Sequence, residues 1–177
     1  LHSFPTRRSS DLSITAQIRQ SHVTIFALQE TRLRTNVRLH SPDFHLWHAP
    51  ANAKGQFGIL IGFAKQQPYA FQQDGTPHEN GWFDEQDFSV IAADPRYLII
   101  RLQTSFLKCV VIAAHAPHSG ADSECIDTFW HQIEQLIPRK YDCWPKLLLA
   151  DANCRFGDCP NQHIGDHDAE ISTVKRD

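Results

Sequence analysis

The chain has 177 residues, of which 41% are apolar and 21% charged, with a formal net charge of −3. That is enough chain for one domain with a real core, and its composition is neither that of a disordered segment nor that of a strongly basic protein that coats nucleic acid. No apolar run approaches the ~20 residues of a membrane span.

Residues 2–12, His-Ser-Phe-Pro-Thr-Arg-Arg-Ser-Ser-Asp-Leu, resemble the translation of a sequencing-adapter oligonucleotide. Residues 1–12 are therefore set apart from the fold as an adapter artefact, the alternative being a basic, Ser-rich disordered arm. Arg7, Arg8 and Asp11 contribute +1, so the remaining 13–177 carry −4. Methionine is absent throughout, and residues 13–177 are expected to be part of a longer reading frame.

Residues 13–21 read as a short helix, with Ile14 and Ile18 one turn apart. Residues 23–28 read as a buried strand, because short continuous apolar runs mark strands covered on both faces. Residues 31–50 are polar and His-rich, and are predicted to be loop with short structure. Residues 55–64 read as a strand whose glycines permit close backbone approach. Residues 66–81 are loop by composition. Residues 88–92 and 97–102 flank Asp94-Pro95 and predict a hairpin. Residues 107–114 are a further buried strand.

The clearest helix is 123–138. Ile126, Phe129, Trp130, Ile133, Leu136 and Ile137 fall on one stripe, with Glu124, Asp127, His131, Glu134 and Gln135 opposite. Ser119, Asp122 or Ser123 caps its start and Pro138 stops it. Residues 146–150 form a last buried strand, and beyond Phe156 no core element is visible. Strands with a few helices and one hairpin predict a mixed α/β sandwich rather than a strictly alternating parallel fold.

Charge is unevenly placed. Arg32, Arg34 and Arg38 lie close together, whereas Asp74, Glu79, Asp84, Glu85, Asp87 and Asp94 fall in a stretch with no Lys or Arg between Lys65 and Arg96. Either cluster is equally compatible with a solvated surface. The five cysteines, Cys109, Cys125, Cys143, Cys154 and Cys159, include no Cys-x-x-Cys pair. Without a visible signal peptide, they read as reduced thiols of an intracellular protein, nuclear or cytoplasmic. Cys154 and Cys159 with His163 and His167 fit no common zinc spacing.

Three apolar runs end abruptly in residues that hold metals or move protons: Leu28-Gln29-Glu30-Thr31-Arg32, Ala114-His115-Ala116-Pro117 and Leu149-Ala150-Asp151-Ala152-Asn153. Polar clusters past strand ends are where α/β folds place their sites. On an extended strand Asp151 and Asn153 share a face. A carboxylate there can accept a proton from water and an amide can orient a phosphate oxygen. Glu30, with waters, suits Mg²⁺ beside a phosphate. His115 and Arg32 are further phosphate contacts. Singly, each has a plain alternative, as a solvated loop residue, a turn or a cap.

Taken together, Leu28-Gln29-Glu30, Phe57-Gly58-Ile59-Leu60-Ile61, His115-Ala116-Pro117 and Ala150-Asp151-Ala152-Asn153 resemble the motifs of the endonuclease/exonuclease/phosphatase superfamily, the DNase I-like fold. Ile164-Gly165-Asp166-His167 resembles a segment of its retrotransposon-type and apurinic-endonuclease-like branches. The resemblance implies a four-layer α/β sandwich of two mixed sheets flanked by helices. It also implies Mg²⁺-dependent phosphodiester hydrolysis, with Mn²⁺ as substitute and DNA as substrate, in a retroelement endonuclease with no membrane association.

By the same resemblance Glu30 binds the metal. Asp151 activates or orients the water, Asn153 holds the phosphate, and His115 and Arg32 contact it. The family's other substrates, lipid or inositol phosphates and poly(A), remain alternatives, as does an inactive remnant that binds a partner. Three departures stand out. Ala150 replaces the usual Gly. Asp166-His167 follows Asp151 too closely to be the family's terminal Asp-His pair. The first family strand should precede Ser13. A sandwich incomplete at both ends, inactive alone, is the resulting expectation.

Overall fold

A computed structural model describes residues 14, 16–34 and 39–153. Residues 1–13 lie outside this range, as do Arg38, Cys154, Cys159 and the Ile164–His167 motif. The strands are β1 (Ile25–Gln29), β2 (Phe44–Ala49), β3 (Ile59–Ala64), β4 (Phe88–Asp94), β5 (Tyr97–Gln103), β6 (Lys108–His115) and β7 (Lys146–Asp151). Helix α1 (Ser123–Leu136) links β6 to β7, and residues 16–20 are also helical.

The strands form two sheets, ordered β1-β3-β2 and β4-β5-β6-β7. The first is antiparallel. The second is mixed, with β4, β5 and β6 antiparallel and β7 parallel to β6.

The period-2 alternation of strands distributes the apolar residues over three clusters. Ile59, Ile61 and Phe63 of β3 meet Leu98, Ile100 and Leu102 of β5 and Cys109, Val111 and Ala113 of β6 between the sheets. Aromatic rings fill the centre of that layer: Phe88 lies 4.3 Å from Phe63 and 4.4 Å from Trp47, centroid to centroid. The alternate residues of β5 and β6, Tyr97, Ile99, Val110, Ile112 and Ala114, face Phe129 and Ile133 of α1. On the far side, Phe26, Phe44 and Leu60 pack against Ile18 of the short helix. Helix, sheet, sheet and helix thus make the four layers of the expected α/β sandwich. Burying each of these large side chains stabilises the fold by about 1.5–3 kcal/mol. Gly62 is required for packing, since a Cβ there would collide with the Phe26 ring.

Local signals explain the boundaries of α1. Asp122, one of three candidate caps, accepts a hydrogen bond from Cys125 N at 2.7 Å. Ile137 is extended, with φ −83° and ψ 115°, as a residue preceding proline must be. The hairpin at Asp94-Pro95 is present, with Asp94 opposite Tyr97 and a bulge between Val90 and Ala92.

Four elements differ from the sequence expectation: β3 begins at Ile59 rather than at residue 55, and of β1 only Phe26 is buried, while β2 and β7 depart further. Strand β2 lies inside the segment read as loop. Its histidines interrupt the apolar run, yet Phe44 and Leu46 join the outer cluster and Trp47 and Ala49 the inner one. Strand β7 was expected to be buried, but among the described residues it is an edge strand on which Leu147 and Leu148 are 37% and 51% exposed. A continuous apolar run shows that both faces are apolar, not that both are covered.

Candidate functional site

Because β6 and β7 are parallel and in register, their last residues, His115 and Asp151, stand opposite each other at one end of the sandwich. The end of β1 reaches the same place. Gln29 Nε2 donates a hydrogen bond to the Leu149 carbonyl at 3.0 Å, tying the two sheets together one residue before Glu30. Antiparallel pairing brings two further segments to this end. Phe57-Gly58 precedes β3, whose Ile59 lies opposite Gln29. Arg96 precedes β5, whose Tyr97 lies opposite Ala114.

The loop after β1 continues to pair after the strand has ended. Thr31 N donates to the Gly58 carbonyl at 3.0 Å, and Arg32 N to that of Phe57 at 2.8 Å. This path holds Glu30 and Arg32 both at φ 54°. Their side chains meet, Arg32 Nη2 lying 3.3 Å from Glu30 Oε2, with 63% and 50% of the respective side chains exposed. An exposed pair of this kind contributes about 0.2–1 kcal/mol to stability. Its larger consequence is to orient the Glu30 carboxylate and place a guanidinium beside it.

His115 is buried, 7% exposed. Its N–H donates to the Arg96 carbonyl at 2.8 Å, its ring meets the Phe57 ring at 5.7 Å, and its Nδ1 is buried without a partner. Asp151 is exposed. Its carbonyl accepts from Ala116 N at 3.0 Å.

Asn153 does not continue the strand. It sits at φ 49°, its N–H donates to Asp151 Oδ1 at 3.2 Å, and its Nδ2 donates to the Ala116 carbonyl at 2.9 Å. The shared strand face expected of Asp151 and Asn153 is therefore replaced by a turn in which the carboxylate caps its own chain two residues on. The Asp151 carboxylate reaches Asn153 through its backbone N–H instead.

Strain and unsatisfied polarity concentrate at this end of the sandwich. Five described non-glycine residues have positive φ, and four of them, Glu30, Arg32, Phe57 and Asn153, belong to it. Such conformations cost about 1–3 kcal/mol each and persist where the surroundings impose them, commonly at functional sites. Four described side-chain atoms are buried without a hydrogen-bond partner, and three of them, Thr31 Oγ1, Arg96 Nε and His115 Nδ1, belong to the same group of residues.

All five sequence candidates, Glu30, Arg32, His115, Asp151 and Asn153, are thus brought to one end. Arg96, Phe57 and Gln29 join them without having been singled out for the site. Arg96 was legible in principle: a hairpin turning at Asp94-Pro95 returns its tip to the end where the next antiparallel strand finishes.

Among the described residues, no group of three or more His, Cys, Asp or Glu side chains is placed to hold a metal ion between them. Mg²⁺ needs no such group, since one or two carboxylates and several waters suffice beside a phosphate. Glu30, half exposed at a strand end, fits that requirement. Among the described residues, no helix is long and apolar enough to cross a membrane.

No protein-family model matches the chain, and neither does any curated protein. Among solved structures, the chain is similar to the endonuclease domain of TRAS1, a telomere-specific non-LTR retrotransposon, with TM-score 0.49 and 16% identity over 85% of this chain and 55% of that one. It is also similar to the catalytic domain of Xenopus laevis APE2, with TM-score 0.49 and 13% identity over 87% of this chain and 58% of that one. The chain spans just over half the length of each of these domains.

Proposed function

We propose that this strand-end cluster handles the phosphate in a Mg²⁺-dependent phosphodiesterase that cuts DNA, of the retroelement endonuclease type. The observation that supports it most is the convergence of Glu30, Arg32, His115, Asp151 and Asn153 at one end of the sandwich, together with most of the described backbone strain. The motif resemblance of the same residues supports the same assignment.

Glu30 would hold Mg²⁺, with Mn²⁺ able to replace it, and Arg32 keeps that carboxylate oriented. The ion supplies positive charge that offsets the phosphate and the leaving oxygen. Asp151, exposed and held by the Asn153 N–H, accepts a proton from the attacking water or orients it. His115, opposite Asp151 on the neighbouring strand, and Asn153, two residues on, would supply hydrogen bonds to phosphate oxygens. Exposed Arg32 and Arg34 give the loop after β1 the positive charge that a nucleic-acid backbone requires, although the chain as a whole is acidic. The described cysteines Cys109, Cys125 and Cys143 are free thiols, which suits a nuclear or cytoplasmic setting.

Nicking of supercoiled plasmid by the full reading frame tests this. Glu30→Ala and Asp151→Ala should each abolish Mg²⁺-dependent nicking, because each removes a charge that the transition state needs. His115→Ala should slow nicking without changing the metal requirement. Near-normal nicking by the Glu30 or Asp151 variant would rule out the metal-binding or water-activating role of that residue.

A further inference from the structure

The same end of the sandwich contains a stack that none of the phosphate roles uses. Arg96 Cζ lies 4.3 Å from the centroid of the Phe57 ring. The His115 ring meets that of Phe57 at 5.7 Å with the planes 74° apart. Phe57 thus contacts a guanidinium and an imidazole at once. Its backbone is at φ 66°, which a bulky residue adopts only when its surroundings impose it.

Those surroundings are specified. The Phe57 carbonyl accepts from Arg32 N, and Gly58 N donates to the Pro95 carbonyl at 2.9 Å. Arg96 is equally fixed, its N–H donating to Asp94 Oδ1 at 3.0 Å and its carbonyl accepting from His115 N at 2.8 Å. Functional histidines commonly have their ring orientation set by a hydrogen bond at the second nitrogen. His115 Nδ1 is buried and makes none. The ring contact with Phe57 is present in place of such a bond.

We infer that Phe57, clamped by the Arg96 guanidinium, is a positioning residue that sets the plane of the His115 ring toward the phosphate. This rests on His115 contacting phosphate, as proposed above. The flat guanidinium is essential, because it stacks on an aromatic face in a way the compact Lys ammonium does not.

The test combines the ring-proton NMR signals of His115, assigned with His115→Gln, with kcat and KM for plasmid nicking, all in the protein of the full reading frame at fixed pH. Arg96→Met should move the His115 ring signals and lower kcat about ten- to a hundredfold, with KM changed by less than about twofold. Arg96→Lys, which keeps the charge, should not restore either. Phe57→Leu should lower kcat similarly, and Phe57→Tyr, which keeps the ring, should restore it.

The role is overturned if Arg96→Met leaves the His115 signals in place, or if Arg96→Lys restores signals and kcat. It is also overturned if Phe57→Tyr is as slow as Phe57→Leu. If Phe57→Leu does not fold, the Arg96 pair decides alone, since Arg96 is only half-buried. If the signals move as expected while even the unsubstituted protein of the full reading frame leaves DNA intact, the positioning role stands and the phosphodiesterase assignment falls.

Discussion

Gly58 carries two separable constraints, and Gly58→Ala measures both. The residue is at φ 96°, and a Cβ there would lie 2.6 Å from Thr31 Oγ1 and 3.1 Å from Arg32 N. The left-handed backbone alone costs a non-glycine residue about 1–3 kcal/mol. The contact adds to this, because relieving it pushes back the loop whose N–H groups bond to the Gly58 and Phe57 carbonyls. Weakening those two bonds costs about 1 kcal/mol each. The total is about 3–5 kcal/mol, a large part of the ~5–15 kcal/mol that holds a domain together. At about 2–4 °C per kcal/mol for a chain of this size, Tm should fall by about 6–20 °C.

Gly75 is the control. It is at φ 82° with nothing within 4 Å of the added Cβ, so Gly75→Ala incurs the backbone cost alone. Thermal unfolding by circular dichroism of the two variants should therefore show the larger drop for Gly58. Equal drops would refute the claim that the Gly58–Thr31 approach holds the loop that carries Glu30.

Asn153→Ala removes the Nδ2 bond to Ala116 and forces alanine into φ 49°, so its urea midpoint should fall further than that of Asn153→Gly, which keeps the backbone free. The reverse order would mean that the turn does not depend on backbone conformation. Gln29→Glu replaces a donor by a carboxylate facing the Leu149 carbonyl, so it should destabilise by about 1–3 kcal/mol and more than Gln29→Ala does; denaturant titration decides.

His45 is held below the usual histidine range mainly by burial, with Lys65 adding to it, against the opposing effects of its Phe83 hydrogen bond and of Asp84 and Glu85. Its neutral form is favoured in the folded state, so the unfolded chain binds the proton first. Its contribution is complete above about pH 6.5 and is lost as pH falls below it. Urea midpoints measured on both sides of that pH should differ less in His45→Gln than in the unsubstituted chain, and an unchanged difference would exclude His45 as a source.

How legible the fold was depended on local chemistry. Strand β6 was found because it is a continuous apolar run and is buried on both faces, and β4 and β5 were found because they flank the turn signal Asp94-Pro95. Helix α1 was found because its stripe, a choice of three caps at its start and Pro138 at its end all agree. Strand β2 was missed because His45 and His48 read as loop polarity, although on an edge strand they sit beside residues that pack both ways. The cover on β7 among the described residues was misjudged because an apolar run carries no information about its neighbours.

For the site, the strand-end positions of Glu30, His115 and Asp151 followed from where the apolar runs stop. Their meeting depended on long-range pairing, β6 with β7 and Gln29 with Leu149, which no local pattern encodes. The turn at Asn153 was among the alternatives that Asp-x-Asn offered, its bond to Asp151 being local, whereas the stack of Arg96 on Phe57 was invisible because its two partners come from distant parts of the chain.

Binding of a divalent ion at the end of the sandwich where Glu30 and Asp151 stand is tested most directly by Mn²⁺ titration followed by amide NMR. Mn²⁺ shares the oxygen-ligand preference of Mg²⁺ and broadens signals near where it binds. The amides of residues 29–32 and 151–153 should broaden first, and Glu30→Gln should abolish this. Broadening centred instead on the acidic residues Asp74, Asp84, Glu85 and Asp87, or unchanged by Glu30→Gln, would contradict the assignment.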